Sequence, residues 1–236
     1  MRAIILAAGM GTRLRPLTLT TPKSLIKIGG ETLIERQIKF LREVCIDEIV
    51  VVTGYLAEKF QFLVDKYGVK LVYNDKYDVY NNFYTMYLVR EYLSDAYVID
   101  ADNYLHENFL KNKISNSTYF SAYKTNFKDE WLLKCNSDNL VEEIIIASGH
   151  GFILSGVSFW TKEAGATLRE ILEEEINKEG FGDLYWDNLV KDNISKIKVV
   201  KQEISSTASF EIDDLNDLEK LENFLSTIER NHPITK

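Results

Sequence analysis

The sequence is short of the features that mark several protein classes. Only two cysteines, Cys45 and Cys135, occur in 236 residues. They lie far apart in no metal-binding or redox spacing, and so read as two reduced thiols of a cytosolic protein. Basic charge is also scarce: 28 Lys and Arg against 36 Asp and Glu give a net charge of −8. A nucleic-acid groove or an anionic membrane surface asks for clustered cations, so this balance counts against both. A local basic pocket for a small phosphate ligand remains compatible with it. No stretch approaches the ~20 apolar residues of a membrane span. The apolar run at the N-terminus is too short for a signal peptide, and Arg13 and Arg15 follow at once. A cytoplasmic protein is expected. Pro/Gly-rich linkers, internal repeats and low-complexity tracts are missing too, so a single domain over 1–236 is the simplest reading. A chain of this length can hide about 70–75% of its unfolded surface.

What is present alternates. Ala3 to Ala7 is a continuous apolar run ending near glycine, as a buried parallel strand would be. Leu33, Ile34, Ile38, Leu41 and Val44 fall at helical spacing. Ile49 to Val52 is a second strand, Leu56, Phe60 and Leu63 give helical spacing again, and Val69–Tyr73 and Tyr97–Ile99 are further strands. Strand and helix alternating through short links predict an α/β fold with a doubly wound, mostly parallel sheet. From about 117 to 160 the pattern turns β-rich. Tyr119–Tyr123, Trp131–Cys135, Leu140–Ile146 and Ile153–Trp160 read as four strands, predicting antiparallel additions to the sheet. Helices are expected over Glu163–Lys178, over Asp183–Asp192 and from Leu215 onward, and a strand over Lys196–Ile204.

The first strand runs into Gly9-Met10-Gly11-Thr12-Arg13, followed by Thr21-Pro22-Lys23. Leu14 stands where a dinucleotide fingerprint needs its third glycine, and no Gly-Lys-Ser/Thr follows to make a Walker loop. Glycines at the carboxyl end of a strand let backbone N–H groups approach an anion without Cβ interference, and that edge of a parallel sheet is where ligands sit. Arg13 offers a planar fork to phosphate oxygens and Lys23 a point charge, in a loop that holds two of the chain's three prolines, Pro16 and Pro22.

The string Leu6-Ala7-Ala8-Gly9-x-Gly11-Thr12-Arg13-x-x-Pro16-x-Thr18, with Pro22-Lys23, resembles the signature of the sugar-phosphate nucleotidyltransferase superfamily, whose fold is Rossmann-like. The resemblance implies that Leu6, Ala8, Gly9, Gly11 and Thr12 hold the nucleotide, together with Tyr80 and Asn82. It places Arg13 at the β- and γ-phosphates and Lys23 at the reacting phosphates.

Two acidic segments fit a divalent cation. Tyr97-Val98-Ile99-Asp100-Ala101-Asp102 is an apolar run ending in two carboxylates at strand spacing, and Mg²⁺ prefers carboxylate and phosphate oxygens. The resemblance assigns the metal to Asp102 and leaves Asp100 open. Phe210-Glu211-Ile212-Asp213-Asp214 leads into the last helix, where either aspartate suits an N-cap. It is similar to the family's Glu-Ile-Asp stretch, which implies Asp213 as a second Mg²⁺ ligand and leaves Asp214 as the cap.

The acceptor is addressed by aromatic and acidic residues. Tyr73 to Tyr87 is dense in tyrosine, Trp131 follows Asp129 and Glu130, and Tyr185-Trp186-Asp187 opens a helical segment. Such a mixture can cage a quaternary ammonium. The strings Asn74-Asp75-Lys76-Tyr77-x-x-Tyr80-Asn81-Asn82-Phe83-Tyr84, Leu154 to Trp160 and Asp183 to Asn188 are similar to bacterial choline-phosphate cytidylyltransferases. That resemblance implies CTP and phosphocholine as substrates, CDP-choline and pyrophosphate as products, and a choline pocket at Trp131, Tyr185 and Asp187. The competing expectations are the same transfer to phosphoethanolamine, an aminoalkylphosphonate or a sugar 1-phosphate, and a non-catalytic nucleotide sensor on the same fold.

Overall fold

The computed structural model describes residues 1–231. The elements run β1 (Arg2–Ala7), β2 (Lys27–Ile28), β3 (Glu31–Thr32), α1 (Leu33–Glu43), β4 (Glu48–Thr53), α2 (Gln61–Tyr67), β5 (Lys70–Tyr73), α3 (Asn82–Leu88), β6 (Ala96–Asp100), β7 (Asn103–Leu105), β8 (Ser117–Cys135), β9 (Val141–Trp160), α4 (Lys162–Glu175), α5 (Trp186–Asp192), β10 (Val199–Ile204), β11 (Ser209–Glu211) and α6 (Leu215–Asn231). Seven strands form one sheet in the order β10-β8-β9-β6-β1-β4-β5. β1 pairs in parallel with β4 and β6, and β4 with β5, while β9 joins β6 and β8 antiparallel. This is the mixed, mostly parallel doubly wound sheet with antiparallel additions that the pattern predicts. No helix among the described residues is long and apolar enough to cross a membrane.

The central strands feed two apolar layers by simple alternation. Ile4, Leu6, Val50, Val52 and Val98 pack on one face against Phe83 and Met86 of α3, Leu168 of α4 and Trp186 of α5. Ala3, Ile5, Val51 and Ile99 pack on the other against Ile34, Ile38 and Leu41 of α1 and Leu63 of α2. Both faces are buried, which is why these strands read as unbroken apolar runs. Each large aliphatic side chain so buried contributes about 1.5–3 kcal/mol. Helix α1 starts where it does because Thr32 caps it: the Thr32 Oγ1 accepts from the Glu35 N–H at 3.2 Å. A third, smaller cluster joins Leu14, Ile26, Ile28 and Leu33 to Ile212 and Leu221. It seats α6 on the early loop, far away in sequence.

Several boundaries differ from expectation. The four short strands expected between 117 and 160 are two long ones, of 19 and 20 residues. Their polar interruptions are irregularities inside the ladder, with register shifts at Thr125/Phe127, Phe127/Glu130 and Trp131/Leu132. Positive φ at Asn126, Asp129, Gly149 and Gly151 absorbs the extra residues. Gly151 has a second reason to be glycine, since a Cβ there would lie 2.5 Å from Leu132 Cδ1. The aromatic segment 73–87 contains a helix, α3, that periodicity did not suggest. Helix α5 begins at Trp186 because Phe181–Asp183 forms a separate 3₁₀ turn. Leu56, at φ 50°, stands outside the second helical segment, which opens as a 3₁₀ turn over Ala57–Phe60 and continues as the short α2. The helix expected to Lys178 stops at Glu175, and the strand expected from Lys196 starts at Val199.

The chain leaves β1 toward β4 and β5, then returns to the other side of β1 at β6. The crevice of such a sheet opens where the winding reverses. Leu6 of β1 pairs there with Asp100 of β6. Gly54, just past β4, lets the Tyr77 loop close over this edge: a Cβ would lie 2.5 Å from Tyr77 Cβ and 2.7 Å from the Ala8 carbonyl oxygen. Both neighbours are held, so Gly54→Ala should cost about 1–3 kcal/mol by overpacking, or several degrees in melting temperature at roughly 2–4 °C per kcal/mol. Thermal unfolding checks this, and an unchanged melting temperature would show that the loop yields freely.

Candidate active site

A cleft of about 360 Å³ opens at the carboxyl edge of β1 and β6. Its floor is the loop after β1. Gly11 adopts the left-handed conformation (φ 59°), and a Cβ there would press to 3.0 Å from Lys23 Cβ. Thr18 Oγ1 donates to the Gly11 carbonyl at 2.8 Å, fixing the turn. Leu6, Ala8, Gly9, Gly11, Thr12, Arg13, Lys23, Tyr80 and Asn82 all line this cleft, so every residue expected to handle the nucleotide lies in one place. Tyr77 and Asn81, quoted above without a role of their own, line it as well, as does the buried Ser24, which the sequence did not mark.

Lys23 projects into a carboxylate junction. Its Nζ donates to Asp102 Oδ2 at 2.8 Å and Asp213 Oδ1 at 3.0 Å, and Arg13 Nη2 reaches the same Asp213 oxygen at 2.9 Å. Burial alone would lower the lysine's pKa, but the Asp102 and then Asp213 carboxylates outweigh it and hold it above the ordinary lysine value. Asp213 is carried there by the seating of α6. Asp214 caps that helix, accepting from the N–H groups of Asn216 (2.8 Å) and Asp217 (3.0 Å), while Asp217 accepts from the N–H groups of Asp213 and Asp214. The two adjacent aspartates thus divide between cleft and cap.

Glu211 joins this junction and was not singled out from sequence. Ligand oxygens of Asp102, Glu211 and Asp213 lie within 4.8 Å of one another. Desolvation, then Asp102 and Asp213, push the Glu211 carboxyl up. Asp100 sits behind, at the end of β6. Burial first, then Asp102, Asp187 and Glu211, raise it well above the usual carboxylate range. Glu211 and Asp213 are two residues apart, so alternation from β11 was the available signal. The missing information was the antiparallel pairing of Glu211 with Asn103, beside Asp102.

A second cavity of about 250 Å³ opens off the first, and Arg13, Asn82, Asp100, Asp102, Tyr185 and Asp213 border both. Trp131, Tyr185 and Asp187, the residues expected at an acceptor, line it, with Tyr119, Glu130 and Glu211 on its polar wall. Tyr119 Oη donates to Asp187 Oδ1 at 2.7 Å. Burial raises Asp187 to about 7 despite the opposing effect of that bond. Burial, then Asp213 and Asp217, also raise Glu130. Arg13, at the mouth, is the only lysine or arginine among the described residues lining this cavity.

Residues 3–99 match the family model of the MobA-like NTP transferase domain. Over 225 residues the chain is 49% identical to a choline-phosphate cytidylyltransferase of Streptococcus pneumoniae, covering 95% of this chain and 98% of that protein. It is 41% identical to the choline-phosphate cytidylyltransferase of Haemophilus influenzae, covering 92% and 94%. A solved structure of the CTP:phosphocholine cytidylyltransferase from Streptococcus pneumoniae superposes with a TM-score of 0.93 at 50% identity, covering 95% of this chain and 98% of that one.

Proposed function

The chain belongs to the choline-phosphate cytidylyltransferase family, and from that premise we propose that it transfers the cytidylyl group of CTP to phosphocholine, giving CDP-choline and pyrophosphate. One observation carries the choice of acceptor. The cavity joined to the nucleotide cleft is walled by Trp131, Tyr185 and Asp187, with Arg13 its only lysine or arginine among the described residues. Aromatic faces and a carboxylate favour a cation that cannot itself hydrogen-bond, which describes a trimethylammonium group. The acceptor's phosphate then lies toward Lys23, beside Asp102 and Asp213, where the two cavities meet.

The reaction is a displacement at phosphorus. A phosphocholine phosphate oxygen forms a bond to the α-phosphorus of CTP, and the bond from that phosphorus to the α,β-bridging oxygen breaks to release pyrophosphate. The ionised phosphate is already a nucleophile, so no side chain has to remove a proton. The task is to hold two anions in line and stabilise the charge that gathers between them. Lys23, released from its carboxylates when phosphates enter, serves the reacting oxygens, and Arg13 the departing pyrophosphate.

Mg²⁺ suits the junction. Asp102 and Asp213, with Glu211 beside them, supply the oxygen donors that ion prefers, and the Lys23 ammonium already marks the position as one that draws a cation. Bound there, Mg²⁺ would supply positive charge against the phosphates of both substrates.

A pyrophosphate-release assay tests the proposal. It crosses CTP, UTP, GTP and ATP with phosphocholine, phosphoethanolamine, 2-aminoethylphosphonate and glucose 1-phosphate, with Mg²⁺ or a chelator. CTP with phosphocholine and Mg²⁺ should give the highest kcat/KM. Equal rates with phosphoethanolamine would sink the cation-cage argument, and no release from any pair would favour a sensor.

A further inference from the structure

The walls of the two cavities are fastened together at one place. The nucleotide-side segment 80–84 and the acceptor-side segment 181–186 run alongside each other. The Asn81 N–H donates to the Gly182 carbonyl at 2.8 Å, Asn81 Nδ2 to the Asp183 carbonyl at 2.8 Å, and the Phe83 N–H to the Leu184 carbonyl at 3.3 Å. The Tyr80 and Phe181 rings meet at 4.8 Å. Gly182 permits this contact, since a Cβ there would lie 2.5 Å from the Tyr80 ring.

Asn82 sits in the middle of this clasp and borders both cavities. Its Oδ1 accepts the backbone N–H of Trp186 at 2.8 Å. A backbone N–H can only donate, so the orientation of the amide is settled: the oxygen faces α5 and the NH₂ is the other arm. Among the described residues no group accepts from that NH₂. Asn82 therefore offers the cavities two donor hydrogens, while its oxygen holds the first residue of the helix that carries Asp187.

We propose that Asn82 is a positioning residue that couples the two pockets, its amide NH₂ donating to a phosphate oxygen of the bound nucleotide while its oxygen fixes the acceptor-side helix. A nucleotide that orders the amide through one arm orders α5 through the other. The acceptor then meets a pocket whose ordering cost has been met in advance, and the reverse holds equally, because coupling between two ligands is reciprocal. This inference rests on the reading of the two cavities as CTP and phosphocholine sites.

The test is calorimetric titration of the full chain, in Mg²⁺ buffer, with phosphocholine and with α,β-methylene-CTP, which cannot release pyrophosphate. Each ligand is titrated alone and then with the other at saturation. In the wild type each should tighten the other by about fivefold or more, the low end of ordinary site-to-site coupling. Asn82→Asp is the decisive variant. Its carboxylate still accepts from Trp186, so its melting temperature should stay near the wild type's. The added charge acts on each ligand titrated alone, so the readout is the coupling, the ratio of affinities with and without the other ligand. It presents an oxygen in place of the donor, so nucleotide affinity should fall by about tenfold or more, and the coupling should vanish. Binding of both ligands to the wild type without coupling, or coupling that survives in Asn82→Asp, overturns this inference alone. A wild type that binds neither ligand overturns the functional reading as well.

Discussion

Replacing Lys23 with alanine should lower kcat by about 100- to 1000-fold, the usual loss when a single preorganised charge is removed from a transition state, while the KM for CTP rises far less. The asymmetry follows from where the ammonium sits. Arg13 and the backbone of the loop after β1 remain to hold the triphosphate, so ground-state binding keeps most of its contacts. What disappears is the cation at the junction of the two cavities, where negative charge accumulates only as the new bond forms. A group used mainly in the transition state shows itself in kcat, whereas one used equally before and during reaction shows itself in KM. Steady-state pyrophosphate release with CTP varied at saturating phosphocholine separates the two. Turnover near the wild type's would defeat the assignment, and a large loss confined to KM would make Lys23 a binding residue.

The second large effect is expected at Asp187, where activity and stability should move in opposite directions. Asp187→Asn removes the negative charge facing the cationic group, so the KM for phosphocholine should rise by at least about tenfold, as for a charged partner worth roughly 1.5–3 kcal/mol, with the KM for CTP little changed. The same substitution should stabilise the protein above pH 7. The folded protein raises this carboxyl to about 7 from 3.8, so it binds the proton more tightly than the unfolded chain does. Stability from this group is therefore greatest in acid and declines as pH climbs from about 4 to 7. Each pKa unit is worth about 1.4 kcal/mol, and water reaching the cavity discounts the total to roughly 1–3 kcal/mol. Asparagine escapes that penalty. Melting curves of wild type and variant should converge near pH 4 and separate by several degrees at pH 8. Acceptor binding runs with the opposite sign: a bound cation favours the ionised form, so the KM for phosphocholine should rise as pH falls below 7. The acceptor's own phosphate ionises near 6, and Asp187→Asn, which retains that ionisation, isolates the side chain's share. Identical profiles in the two proteins would remove Asp187 from acceptor recognition.

Much of the site was legible because its chemistry is local. The loop from Gly9 to Lys23 carries its glycines, cations and prolines within a few turns of chain, and Asp102 follows directly from the strand that ends at Asp100. The residues that escaped notice depend on distant pairings. Glu211 gains its place from β11 lying against β7, and nothing in its neighbourhood records that partnership. Helix α3 was hidden by its own surface: Tyr80, Tyr84 and Tyr87 are the conspicuous residues of that segment, whereas the side chains that anchor the helix are Phe83 and Met86. The long β8–β9 hairpin was hidden for the opposite reason. Asn126, Asp129, Gly149 and Gly151 look like turns ending strands, and a bulge within a continuous ladder draws on the same residue types as a turn.

The seating of α6 over Leu14, Ile26, Ile28 and Leu33 has a consequence for the timing of synthesis. N-terminal portions of a chain emerge and begin folding first. The loop after β1 therefore leaves the ribosome while Asp213, which faces Lys23 across 190 residues of sequence, has yet to be translated. Until that last segment folds back, the nascent chain carries Lys23 and Asp102 without the carboxylate that joins them. On the proposed mechanism, competence for transfer arrives only with this last segment, and a newborn chain interrupted ahead of Asp213 lacks one carboxylate of the junction around Lys23.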